Sequence, residues 1–196
     1  MYEFKNLLLK YPADWFIEPD TLKRTKASLG NIITFYEELG TKDLEKTPLD
    51  AIIKEPVPDV YTLPLFSKKF CDVLLDEVKH MEQTIDFSPN PQEDVLRQIP
   101  EIVFNEHCPE LFDSLMTVVE SVVNPIFLNI WNRHVTTGNI QIANYNLKDK
   151  KQGAWHHDAD ADISMVVPLN TGEYEGGGTE FFKRGTIYPL PIGNAM

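Results

Sequence analysis

The chain has 196 residues, 42% of them hydrophobic and 24% charged, and 18 Lys+Arg against 30 Asp+Glu give a formal net charge of −12. That apolar fraction excludes a disordered chain, and no apolar run approaches the ~20 residues a membrane span needs. The negative balance argues against nucleic acid as the main partner and is compatible with a basic protein or peptide. Apolar stretches such as Val118–Val123 are broken by polar residues, here Glu120 and Ser121. Cys71 and Cys108 make neither a disulfide framework nor a zinc cluster. The length suits one domain of about 150 residues with an appendage.

Near the N-terminus, Leu7, Leu8 and Leu9 are too few for the apolar stretch of a secretory signal, and Glu3 flanks them. The chain is expected to be cytosolic, or to be a fragment whose targeting segment lies elsewhere. Residues 1–55 read as a highly charged helical appendage, with a short helix over Leu29–Leu39 closed by Gly40. A charged stretch, Thr41–Lys54, then leads to Pro56-Val57-Pro58, which suits a linker or the start of an edge strand. The main domain is expected over 56–196.

Within it, Ser67 is a good cap for a helix from Lys68 to Gln83. Phe70, Val73, Leu74, Val78 and Met81 fall on one stripe, with Lys69, Asp76, Lys79 and Glu82 opposite. The Pro- and Asn-containing stretch Asp86–Gln92 reads as an exposed loop. Pro109 opens a second helix bearing Leu111, Phe112, Leu115, Met116, Val119 and Val123, which Asn124-Pro125 ends or kinks. Beyond Gly138 the pattern changes to alternation, giving strands at Asn139–Tyr145, Asp162–Leu169, Thr179–Phe182 and Thr186–Leu190, with a turn at Gly176-Gly177-Gly178. Helices first and strands later indicate an α+β fold in which helices brace a largely antiparallel sheet.

The chemistry concentrates in Trp155-His156-His157-Asp158. His156 and Asp158 are one residue apart, so in extended backbone both side chains leave the same face and can grip one ion. A third ligand, usually a distant His, would complete a facial triad that selects non-haem Fe(II) and leaves positions open. A bare His-x-Asp also arises by chance, and a solvated polar turn is the other reading. Asp160 and Asp162 are read as loop solvation and the start of a strand rather than ligands. The three glycines are read as a turn rather than a phosphate cradle.

Gln141-Ile142-Ala143-Asn144-Tyr145 followed by His156-His157-Asp158 resembles the core of the prolyl 4-hydroxylase-type Fe(II)/2-oxoglutarate dioxygenases. Leu169-Asn170 and then Tyr174-Glu175-Gly176-Gly177-Gly178-Thr179-Glu180-Phe181-Phe182 are similar to the procollagen-lysine 5-dioxygenase (lysyl hydroxylase) branch. Pro58-Asp59-Val60-Tyr61, Cys71-Asp72 and Leu75-Asp76-Glu77 also resemble the start of that family's catalytic domain, so the likeness spans about Glu55 to the C-terminus. It implies a double-stranded β-helix of the jelly-roll or cupin kind. It implies His156 and Asp158 as catalytic metal ligands, and His157 as a neighbour on the other face. Tyr145 and the weaker candidate Asn144 would line the 2-oxoglutarate pocket, with a core aromatic as the alternative for Tyr145. Fe(II), 2-oxoglutarate and ascorbate are the implied cofactors, and a Lys-rich or collagen-like peptide the implied substrate. Family relatives work in the endoplasmic reticulum. A prolyl or small-molecule hydroxylase of the same superfamily and a non-catalytic jelly-roll module are the other readings. The family's third ligand, a His, and its 2-oxoglutarate-anchoring Arg or Lys have no counterpart after Asp158, where the only cations are Lys183 and Arg184. The chain is therefore expected to be an incomplete catalytic domain that does not turn over alone.

Overall fold

A computed structural model describes residues 3–4, 15–27, 48–85, 87, 99–136, 138–146, 148 and 151–196. The expected Leu29–Leu39 helix, the first half of the Thr41–Lys54 stretch and most of the Asp86–Gln92 loop lie outside these residues. Helix α1 covers 19–27, and helix α2 covers Lys68–Met81. Ser67 caps α2, its Oγ accepting the Phe70 N–H at 3.2 Å. The expected stripe points inward, and Phe70, Cys71, Leu74, Val78 and Met81 are buried.

Strand β1 (Lys54–Val57) pairs antiparallel with β2 (Val60–Pro64) around a turn at Pro58-Asp59, where Asp59 takes φ 63°. Pro56 lies within β1, which among the described residues pairs with β2 alone, and an edge strand is where a missing N–H is tolerated. Strand β3 (Glu101–Val103) leads into the single-turn helix α3 (Phe104–His107) and then α4 (Pro109–Val118). Pro109 occupies the first turn of α4, where its absent N–H leaves nothing unpaired.

The helix does not end at Asn124-Pro125. A π-turn over Val119–Val123 joins α4 to α5 (Asn124–Trp131), with the Asn124 N–H bonded to the Val119 carbonyl. Pro125 cannot donate to the preceding turn, and the wider π-type bond just ahead of it absorbs the mismatch without breaking the rod. The resulting 23-residue rod, Pro109–Trp131, is long and apolar enough by length and composition to cross a membrane. This corrects the expectation that no segment approaches that length. Here its Leu111, Leu115, Val118, Val122, Val123 and Ile126 form part of the core.

Asn124 is buried on this rod at 1% exposure. Its Oδ1 accepts the Val135 N–H at 2.8 Å and its Nδ2 donates to the Val135 carbonyl at 2.9 Å, pinning the segment that follows α5. Asn124→Ala is expected to cost about 1–2 kcal/mol, because water reaches only part of the freed backbone. Asn124→Asp, which sets a buried carboxylate oxygen against the Val135 carbonyl, should cost more than Ala at neutral pH in urea denaturation.

The remaining strands are short. β4 (Gln141–Ala143) pairs antiparallel with β3, β5 (Thr179–Phe181) with β6 (Gly185–Ile187), and β7 (Asn194–Ala195) with β2. The expected Asn139–Tyr145 and Thr179–Phe182 shorten to Gln141–Ala143 and Thr179–Phe181, and Thr186–Leu190 becomes Gly185–Ile187. Asp162–Leu169 is not a strand, although Val166 and Met196 exchange both backbone bonds at 2.9 Å and the Gly193 N–H reaches the Pro168 carbonyl at 3.0 Å. The described residues thus make helices and three small antiparallel sheets, with no closed barrel among them.

Residues 15–27 share the same core. The Ser67 N–H donates to the Phe16 carbonyl at 2.9 Å, the Glu18 N–H to the Leu65 carbonyl at 2.8 Å, and Phe16 and Ile17 are buried beside Phe70. Burial pushes the Cys71 thiol up to about 11, and burial followed by the charge of Glu77 does the same for Cys108. Both are free cysteines, protonated and shielded at neutral pH.

Candidate metal centre

His156 and Asp158 stand on the loop between β4 and β5, with no regular element of their own. Backbone and side-chain bonds inside the loop hold them instead. His156 Nδ1 lies 2.7 Å from the Ala154 carbonyl oxygen. A carbonyl can only accept, so Nδ1 carries the proton and Nε2 of the neutral ring keeps its lone pair. Asp158 starts a turn, its backbone carbonyl accepting the Ala161 N–H at 3.0 Å. Its Oδ2 accepts a hydrogen bond from the Ser164 hydroxyl.

That leaves His156 Nε2 facing Asp158 Oδ1 at 3.2 Å, with the two side chains 45% and 51% exposed. In the neutral tautomer both atoms are acceptors, and two acceptors at this separation are held together by a cation between them or by a second proton on the ring. Ligand bonds of about 2.0–2.2 Å meeting near a right angle give a donor separation of roughly 3 Å, so the pair fits two adjacent positions on one divalent ion. An imidazole nitrogen with a carboxylate oxygen is also the donor set of the non-haem iron sites. Among the described residues no group of three His, Cys, Asp or Glu side chains converges, so the structure supplies two donors. His157, Asp160 and Asp162 are exposed and stand outside the pair.

The other candidates sit nearby in the chain but face different neighbours. Tyr145 is half-exposed, and its hydroxyl lies against Gly153, where an added Cβ would come within 3.4 Å. Burial, and then the charge of Glu101, raise its pKa above the usual tyrosine value, so the hydroxyl remains a donor. Asn144 Nδ2 instead donates to Glu82 Oε1 at 3.0 Å, tying the end of β4 to the end of α2.

Trp155 and Phe182 meet edge to face at 5.9 Å while staying 61% and 71% exposed. This places the β5–β6 turn beside the His156 loop. Arg184 anchors that turn from the far side, Nη1 donating to the Pro58 carbonyl at 2.8 Å and pairing with Asp59 at 3.3 Å. In the sequence Phe182 stands out only within the Thr179–Phe182 strand and the glycine-turn motif, and Ser164 does not stand out. Ser164 shares the even-numbered parity of Asp158, Asp160 and Asp162, and that run of polar residues on one side of the loop was the available signal.

Procollagen-lysine,2-oxoglutarate 5-dioxygenase 2 of Homo sapiens is 24% identical over 162 residues, covering 78% of this chain and 22% of the relative. The multifunctional procollagen lysine hydroxylase and glycosyltransferase of Caenorhabditis elegans is 25% identical over 159 residues, 74% of this chain and 21% of the relative. The 2-oxoglutarate and iron-dependent oxygenase domain-containing protein ICU11 of Arabidopsis thaliana is 25% identical over 135 residues, 66% of this chain and 32% of the relative. The chain therefore spans between about a fifth and a third of the length of these curated relatives. The OGFOD2-like domain matches residues 21–127, a stretch that runs across the expected boundary at residue 55 and stops short of the metal pair. With more than half of its length in that match, the chain belongs to the OGFOD2-like domain family.

Proposed function

We propose that the chain carries two iron ligands of an Fe(II)/2-oxoglutarate-dependent dioxygenase that hydroxylates a peptidyl lysine, on a double-stranded β-helix scaffold. The observation that carries this reading is the facing of His156 Nε2 and Asp158 Oδ1 at 3.2 Å, a separation that fits two adjacent positions on one divalent ion. The distant procollagen lysine hydroxylase relatives support the substrate, and the iron-dependent oxygenase relative supports the cofactor. Bound there with 2-oxoglutarate and O2, Fe(II) supplies the oxidative decarboxylation that yields succinate, CO2 and a hydroxylated C–H position.

The chain's own residues prepare that site. His156 holds its Nδ1 proton on the Ala154 carbonyl and so presents Nε2, while Asp158 presents Oδ1. A third protein donor completes the set in this proposal. Tyr145, with its proton retained, offers a hydroxyl donor to the 2-oxoglutarate carboxylate; Asn144 is the weaker candidate because its amide is engaged with Glu82. Ascorbate is the proposed reductant that keeps the iron ferrous. The exposed Trp155–Phe182 pair leaves the loop open to a macromolecular substrate. From residue 152 onward, acids at 158, 160, 162, 173, 175 and 180 outnumber Lys183 and Arg184, which suits a basic segment.

The test supplies a peptide containing both lysine and proline to the protein that carries this sequence, with Fe(II), 2-oxoglutarate and ascorbate. Succinate release with the added oxygen located on lysine by tandem mass spectrometry is expected. Oxygen on proline would move the assignment to the prolyl branch, and absence of succinate with every peptide tried would refute a peptide hydroxylase.

A further inference from the structure

A carboxylate with half its surface in water has two equivalent oxygens and two free torsions, so nothing in the Asp158 side chain itself selects the oxygen that meets a cation. The loop makes that selection. Ser164, six residues on, turns its hydroxyl back onto Oδ2, and the backbone bond from the Ala161 N–H to the Asp158 carbonyl closes the turn between them. With Oδ2 occupied by a donor, the carboxylate plane is fixed and only Oδ1 remains directed at His156 Nε2. We infer that Ser164 is a positioning residue for the metal-binding carboxylate: its hydroxyl on Oδ2 holds Asp158 as a one-oxygen ligand beside His156. This rests on the metal reading of the pair.

The arrangement mirrors what the Ala154 carbonyl does for His156, so each donor has one partner that points it at the common position. A one-oxygen carboxylate also favours six-coordinate ions of the Mn(II), Fe(II) and Co(II) type. Larger oxygen-seeking ions such as Ca(II) readily take both carboxylate oxygens. Ser164 is exposed and its hydroxyl has this one side-chain bond, so its removal should leave the fold intact.

Mn(II) titration of the full chain, followed by electron paramagnetic resonance of the free ion, tests the inference with Ser164→Ala, Ser164→Thr and Asp158→Ala. Loss of such an outer hydrogen bond typically lowers metal affinity roughly 10–100-fold, and that is the drop expected for Ser164→Ala. Ser164→Thr, which keeps the hydroxyl, should bind within about threefold of wild type, and the Mn(II) affinity of Ser164→Ala should fall relative to its Ca(II) affinity. Equal Mn(II) binding by wild type and Ser164→Ala, with Asp158→Ala inactive in binding, would overturn the role of Ser164 alone. A Thr variant as weak as the Ala variant would do the same. Equal binding by wild type and Asp158→Ala would overturn the metal reading, and the inference with it.

Discussion

Asp158→Ala is expected to weaken Fe(II) binding by about 100-fold or more while moving the melting temperature by no more than about 2 °C. The first figure follows from rank: loss of an outer hydrogen bond costs 10–100-fold, and loss of a ligand atom costs at least as much. The second follows from exposure. Asp158 makes its contacts within its own loop, with Ser164, His156 and the Ala161 N–H, and the backbone part of these survives truncation. A surface substitution away from the core stays within about 0.5 kcal/mol, which for a chain of this size is about 2 °C. Asp158→Asn sharpens the result because it keeps an oxygen for Ser164 but removes the charge. If the Asn variant bound Fe(II) as tightly as wild type, the carboxylate would not be a ligand. Anaerobic isothermal titration with Fe(II), beside thermal unfolding of the same samples, reads both quantities.

The largest stability effect is expected at Gly193. Its φ of +79° is already costly for any residue with a side chain, and an added Cβ would lie 2.2 Å from the Phe66 carbonyl oxygen and 3.3 Å from Cys71 Sγ. The glycine cannot retreat. Its carbonyl accepts from the Leu65 and Phe66 N–H groups at 3.1 and 2.9 Å, and its own N–H reaches the Pro168 carbonyl at 3.0 Å. Gly193→Ala should therefore cost about 2–4 kcal/mol and lower the melting temperature by roughly 4–16 °C. Gly185→Ala is the matched control: φ is +119°, but nothing lies within 4 Å of the added carbon, so it pays for backbone strain alone. Guanidinium denaturation of the two variants separates strain from collision, and a Gly193→Ala loss no larger than that of Gly185→Ala would show that the close approach to Phe66 is not felt.

What the sequence disclosed follows the range of the interactions involved. α2 was legible almost to its ends because its cap, its apolar stripe and its polar face all lie within sixteen residues, and Ser67 does cap it. The start of α4 at Pro109 was equally local. Whether it ends or kinks at Asn124-Pro125 stays open in the sequence, because a π-turn is chosen when packing of Val122, Val123 and Ile126 outweighs one missing bond, and that packing comes from distant residues. β3 was missed because three residues cannot display a period, and it exists by virtue of pairing with Gln141–Ala143. The inclusion of Phe16 and Ile17 in the core was also invisible, since their partners Leu65, Phe66 and Phe70 are remote in sequence. At the site, the spacing of His156 and Asp158 pointed to the pair only together with the family-like sequence around it. Which atoms face each other, and that Ser164 and the Ala154 carbonyl aim them, depends on how the loop folds back on itself.

The pairing of β2 with β7 sets Leu63 against Ala195, two residues separated by most of the chain, and Gly193 fixes both Leu65 and Phe66. Contacts this distant demand a large closure entropy before any bond repays it, and they slow folding in proportion to their sequence separation. During synthesis, β2 emerges long before β7. Until β7 emerges, the edge of β2 that ends up against it has no partner from this chain, leaving an open strand edge of the kind that recruits other molecules. Closure of this sheet thus waits for β7, and the yield of soluble protein should depend on how quickly that strand reaches β2.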